Sequence, residues 1–158
     1  MPSFRCIGSD ASQIWCARRK QEHLPGEVVC ECNEASVPFE GSGRSPVVLD
    51  VEAGERFRHY TLRVPQNLRY LDGHFPGFPV VPAVAQLQWA MDGARDLLDR
   101  EPILYAIEAL KFTGLLRPDQ VFDLRVDLAL SGDAVTFRLW HGNQVYSSGR
   151  CLLTDEHT

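Results

Sequence analysis

From Val47 onward, apolar and polar positions fall into regular periods. Apolar-rich runs over residues 47–51 and 57–64 flank Ala53-Gly54-Glu55, which predicts two strands joined by a turn. Phe122, Leu124, Val126, Leu128 and Leu130 alternate with Asp123, Arg125 and Asp127, the period of two expected when one face of a strand packs on a core and the other meets water. Ser131-Gly132-Asp133 predicts a hairpin turn, Val135, Phe137 and Leu139 continue the alternation, His141-Gly142-Asn143 predicts a second turn, and residues 145–153 form a final strand. Ile103–Phe112 is richly apolar between Pro102 and Gly114 and reads as a largely buried strand. Ahead of it, Val84, Leu87, Met91, Ala94 and Leu98 recur at helical spacing, so a helix over 82–98 is predicted, with Pro82 in its first turn and these five residues toward the core.

The predicted order is two strands, one helix and four strands. A single helix and an antiparallel meander both bury their apolar faces only if the sheet curls around the helix, which gives an α+β fold in one domain. Such a sheet leaves a free edge, and pairing between two subunits removes it, so a homodimer or a heterodimer with a related chain is expected.

Residues 1–45 read differently. Apolar positions there have no period, four of the five cysteines fall in the segment, and Gly41-Ser42-Gly43-Arg44-Ser45-Pro46 closes it like a linker. A poorly ordered extension of unknown role over 1–45, followed by the domain over 46–158, is the expectation, with an ordered appendage packed on the core as the competing one.

The 158 residues and 44% hydrophobic content suit one core. A net charge of -5, with only the short basic run Arg18-Arg19-Lys20, excludes a general nucleic-acid binder. No stretch approaches the length of a membrane span and the N-terminus lacks a signal-peptide core, so a cytoplasmic location is expected. Cys30-x-Cys32 is too tight for the usual zinc spacing and has no His cluster beside it, so no metal is expected and the cysteines read as free thiols.

The candidate chemistry lies in the segment entering the helix, His74-Phe75-Pro76-Gly77-Phe78-Pro79-Val80-Val81-Pro82-Ala83. Three prolines fix φ and bias each preceding residue toward extended backbone, so the segment is a stiff loop bearing one histidine. The first N–H groups of the helix lack intrahelical partners and favour negative charge, which makes the Ala83 amide a candidate donor to a thioester oxygen. A carbonyl polarised there has an acidified neighbouring carbon, and His74 has the ordinary pKa of a base for that proton. A histidine bonded only to its own loop is the alternative. Gly73 and Gly77 permit close backbone approach or simply serve the turns.

The run from Tyr70 to Val84, Tyr-Leu-Asp-Gly-His-Phe-Pro-Gly-Phe-Pro-Val-Val-Pro-Ala-Val, resembles the signature of the 3-hydroxyacyl-(acyl carrier protein) dehydratases of the hot-dog fold. Its continuation Ala85-Gln86-Leu87-Gln88-Trp89-Ala90 is most similar to the ApeI-like branch, linked to aryl-polyene pigments, with the fatty-acid enzymes of FabZ type more distant. Residues 107–112 and Arg117-Pro118-Asp119 also resemble the strand and turn that follow the helix in that family, so the likeness runs from about Val47 to Leu153.

The resemblance implies an antiparallel sheet wrapped around one long central helix, no cofactor, and a 3-hydroxyacyl substrate carried on acyl carrier protein. It gives His74 the α-proton, the Ala83 N–H the thioester oxygen, and position 88, typically of the other subunit, the carboxylate that assists loss of the hydroxyl; Gly77 is a further candidate at the loop. Position 88 is Gln, which holds a hydroxyl but delivers no proton at neutral pH. A weakened dehydratase, a non-catalytic acyl or carrier-protein binding subunit paired with a paralogue, and a hot-dog thioesterase are the resulting readings. Ala83 stands where the family has Gly. Asp92, one turn beyond Gln88 on the same face, is a candidate to act through water, against an ordinary partner of Arg95. Phe78, Pro82, Trp89 and Met91 are candidates to line the acyl group, against core packing for Trp89 and Met91. Arg69, Lys111 and Arg117 are candidates to meet an acidic carrier protein, against plain solubility.

Overall fold

The computed structural model describes residues 4–6, 39, 43–71 and 77–154. Among these residues, seven strands form one antiparallel sheet: β1 (Phe4–Cys6), β2 (Val47–Ala53), β3 (Phe57–Arg63), β4 (Ile103–Phe112), β5 (Val121–Leu128), β6 (Ala134–His141) and β7 (Gln144–Thr154). Their order across the sheet is β1-β2-β3-β5-β6-β7-β4. The helix α1 (Ala83–Leu98) packs on β5, β3 and β6, and this sheet wrapped around one helix is the hot-dog arrangement.

Strand periodicity translates directly into burial. Phe122, Leu124 and Val126 are fully buried on β5, facing α1 together with Val135, Phe137 and Leu139 of β6. The alternation stops one residue pair earlier than predicted: β5 ends at Leu128, and Leu130 is 92% exposed in the turn, where Gly132 takes a φ of +80°. His141 belongs to β6, which leaves the two-residue hairpin Gly142-Asn143.

α1 begins one residue later than predicted, with Pro82 extended at the N-cap, and ends at Asp99 in the left-handed conformation. Its buried face also differs from the predicted stripe. Ala85, Gln86, Trp89, Ala90, Gly93, Ala94 and Leu97 are buried, whereas Val84 is 65% exposed and Leu87, Met91 and Leu98 are only half-buried. Small residues carry the sheet-facing side because they let the helix axis approach closely. A Cβ added at Gly93 would lie 3.0 Å from Val126 Cγ2 and 3.2 Å from Tyr60 Cε2. Trp89 fills the space beside them, stacked on Phe122 at 5.6 Å, with its indole N–H donating to the Arg44 carbonyl at 2.9 Å.

Two pieces of the N-terminal segment reach this core. β1 adds an antiparallel strand to β2, and the Phe39 ring is buried edge-on against Tyr60 at 5.1 Å. The Tyr60 hydroxyl donates to Asp96 Oδ2 at 2.6 Å, and Arg58 Nε donates to the same oxygen at 3.1 Å, tying the end of α1 to β3. Burial, and then the Asp96 charge, hold the Tyr60 phenol well above its ordinary pKa.

β4 departs from expectation most. It is an edge strand, hydrogen-bonded only to β7 among the described residues, and most of its side chains are exposed, including Tyr105 at 73%. A continuous apolar run is compatible with a buried strand or with an edge that another surface covers, and periodicity does not separate the two. The strand is also irregular: Ala109 has a φ of +52° inside a register shift between Glu108 and Lys111.

Gly93→Ala tests the close approach of helix and sheet. Higher helix propensity favours the variant by about 1 kcal/mol, but overpacking costs about 1–3 kcal/mol. A net loss of about 1 kcal/mol in urea denaturation is expected, and a gain in stability would contradict the tight contact.

Candidate functional site

The site is organised by the entry to α1. Gly77 has a φ of +83°, a conformation that explains glycine there. Val80 and Val81 are buried, and the Val81 N–H donates to the Leu116 carbonyl at 2.7 Å, so the stretch leading into the helix is pinned to the segment after β4. The Pro82 carbonyl then accepts from the N–H groups of Ala85 and Gln86 at 3.1 and 3.3 Å. The Ala83 and Val84 N–H groups have no acceptor among the described residues, and both residues are exposed. Backbone donors of this kind at a helix N-terminus suit a carbonyl or oxyanion.

His74 lies outside the described residues, with Asp72, Gly73, Phe75 and Pro76. Phe78 is described, 43% exposed, with the Arg117 guanidinium 3.9 Å above its ring. This cation–π contact joins two residues singled out for different reasons, the acyl group and the carrier protein. Trp89 is a core residue, 1% exposed with its N–H satisfied, and offers no surface to a ligand in the single chain. Met91 is half-buried on the side of α1 away from the tightest sheet contacts. Arg69 is exposed, and its backbone N–H donates to the Gly43 carbonyl at 2.7 Å.

Val84, Gln88 and Asp92 follow at intervals of four and form one stripe along α1. Gln88 is exposed, and its Nε2 donates to Asp92 Oδ1 at 3.0 Å. The same oxygen accepts from Arg95 Nη1 at 3.3 Å. Arg95 is in turn clamped by Glu101, with Nε to Oε2 at 2.5 Å and Nη2 to Oε1 at 3.0 Å. Asp92 is thus both a partner of Arg95 and a neighbour of Gln88, so the two sequence readings of this residue are joined in one network. Burial pushes the Asp92 carboxyl above its ordinary 3.8, while the Gln88 hydrogen bond and the Arg95 charge pull it back. Arg95 holds Glu101 below the usual carboxylate range.

Sequence reasoning missed Gln86. It is 2% exposed, its Nε2 donates to the Val81 carbonyl at 3.3 Å, and its Oε1 has no partner among the described residues. A glutamine flanked by Ala85 and Leu87 in an apolar run was the available signal. Among the described residues no cluster of three or more His, Cys, Asp or Glu side chains could hold a metal, and no helix is long and apolar enough to cross a membrane. Cys151 is a buried free thiol, its pKa raised by burial. A shallow concavity lined by Lys111, Arg125, Arg138, Trp140 and Arg150 includes side chains that alternate with the α1-facing residues of β5 and β6; it is basic and separate from the helix stripe.

The raised Asp92 pKa has a sign that stability measurements read. A carboxyl that binds its proton more tightly folded than unfolded stabilises most below its ordinary value, and this contribution is lost as pH rises through the folded pKa. Asp92→Asn lacks that term. Its Tm relative to the parent protein is expected to climb between about pH 3.5 and pH 7 in thermal melts, and a flat or falling difference would contradict the buried charge.

Comparison with known proteins follows the same boundaries. The model of the ApeI-like family, described as ApeI dehydratase, matches residues 51–150. No curated protein sequence matches the chain. A solved structure titled as the dehydratase heterocomplex ApeI:P from Xenorhabdus doucetiae is 29% identical with a TM-score of 0.64, covering 69% of this chain and 97% of that one. An uncharacterised protein from Erwinia carotovora subsp. atroseptica is 30% identical with a TM-score of 0.58, covering 69% and 95%. The E. coli PaaI protein from the phenylacetic acid degradation operon, 12% identical with a TM-score of 0.50 and covering 64% and 77%, shares the fold alone. With a family model spanning the end of β2, the loop, α1 and the strands up to the middle of β7, the chain belongs to the ApeI-like dehydratase family.

Proposed function

We propose that this protein handles 3-hydroxyacyl thioesters carried on acyl carrier protein, in fatty-acid or aryl-polyene-type biosynthesis, as a dehydratase-type subunit. The observation that carries the reading is the start of α1, where the N–H groups of Ala83 and Val84 have no acceptor among the described residues and Gln88 follows Val84 by one turn, in a chain of the dehydratase family. The thioester oxygen takes the two amides, which lowers the cost of an enolate-like intermediate, and His74 removes the α-proton. Phe78 and Pro82 flank the acyl group at the loop.

Gln88 sets the limit on this chemistry. It holds the 3-hydroxyl by a hydrogen bond but supplies no proton to the leaving water, so the isolated chain turns over slowly. A second hot-dog chain, a copy or a relative, is the partner in this reading. Support comes from the unpaired, apolar edge of β4 and from the heterocomplex named for the Xenorhabdus relative. A cytoplasmic setting goes with it, where thiols such as Cys151 stay reduced. A thioesterase would use the same polarised carbonyl, but it too wants a general base on the helix, and position 88 lacks one.

Following enoyl thioester and free thiol from a 3-hydroxyacyl carrier-protein substrate separates these readings. Gln88→Glu is expected to raise enoyl formation by about 10²-fold or more. No gain, or thiol release in place of enoyl product, would sink the dehydratase reading. Introducing Lys at Tyr105 is expected to lower the dimer fraction in analytical ultracentrifugation, and an unchanged dimer would move the interface away from β4.

A further inference from the structure

Position 88 has a defined hydrogen-bonding polarity. Asp92 Oδ1 accepts from Arg95, which can only donate, so the group that Gln88 turns toward that oxygen is its amide N–H, at 3.0 Å. Arg95 donates to the same Asp92 oxygen and is itself held by two bonds to Glu101, which leaves Asp92 little freedom to turn away. Asp92 is also only 9% exposed, so water competes weakly for it. The Gln88 carbonyl oxygen Oε1 is left over. It has no donor among the described residues and belongs to an exposed side chain on the stripe that begins at the Val84 amide.

We infer that Asp92 is a positioning residue that fixes the Gln88 amide with Oε1 outward, so that position 88 offers an acceptor and selects acyl groups bearing a hydroxyl. This rests on the proposed thioester site and adds to it which acyl groups are preferred and why. A freely turning amide presents N–H or C=O at equal cost and discriminates poorly between a hydroxyl and a carbonyl. An amide locked by a carboxylate favours a donor, and the 3-hydroxyl is the donor that a 3-hydroxyacyl thioester brings. No bond is made or broken in this step; the hydroxyl proton stays on its oxygen.

The test uses the full chain and two probes, the N-acetylcysteamine thioesters of 3-hydroxyhexanoic and hexanoic acid, with affinities from titration calorimetry. The hydroxylated probe is expected to bind about tenfold more tightly, the worth of one hydrogen bond. Asp92→Asn brings the ratio to within about twofold by weakening the hydroxylated probe alone, since its own amide meets Gln88 in either orientation. Asp92→Glu restores part of the preference, and Gln88→Ala abolishes it. A merely structural role for Asp92 would instead weaken both probes together, and that result overturns the inference. Equal affinities in the parent protein, or a preference that Asp92→Asn leaves intact, also overturn it while thioester binding stands. Failure of both probes to bind removes the proposed site and the inference with it.

Discussion

The close approach of α1 to the sheet is the constraint on which the rest depends. Ala85, Ala90, Gly93 and Ala94 bring the helix down onto β3, β5 and β6, and Trp89 closes the remaining gap against Phe122. Dispersion and apolar burial at that contact are short-ranged, so the helix has little room to rotate or slide without losing them. Fixing its azimuth fixes which residues face outward. Val84 and Gln88 face outward, and Asp92 sits at the margin of the buried face, because the small residues hold the other side of the helix to the sheet.

This explains how much of the molecule was legible. The strands around Phe122 and Phe137 announced themselves because each alternates a bulky apolar residue with a polar one, and burial follows that parity. The helix was equally visible, but its orientation was not. Val84, Leu87, Met91 and Leu98 are the bulkiest apolar residues at helical spacing, and weighting by hydrophobicity turns them inward. Packing follows distance instead, and alanine and glycine, nearly silent on a hydrophobicity scale, permit the shorter one. The same silence hid the fate of Ile103–Phe112, since an apolar strand at an edge has the composition of an apolar strand in a core.

At the site, spacing alone put Gln88 and Asp92 on one face and named Arg95 as a partner. It did not supply the direction of the amide, which depends on side-chain rotamers, or the part of Glu101, which depends on which side chains meet across the turn after α1. The proline-rich loop was the reverse case: the motif that speaks most plainly in sequence contributes only from Gly77 onward to the described structure.

Phe39 gives the N-terminal segment a mechanical reach that its sequence does not advertise. Its ring sits in the core against Tyr60, and Tyr60 holds Asp96 near the end of α1. Cleavage of the chain between Phe39 and Pro46 would therefore unplug the core from outside the strand framework, loosening the helix at its far end without altering any group that meets a substrate.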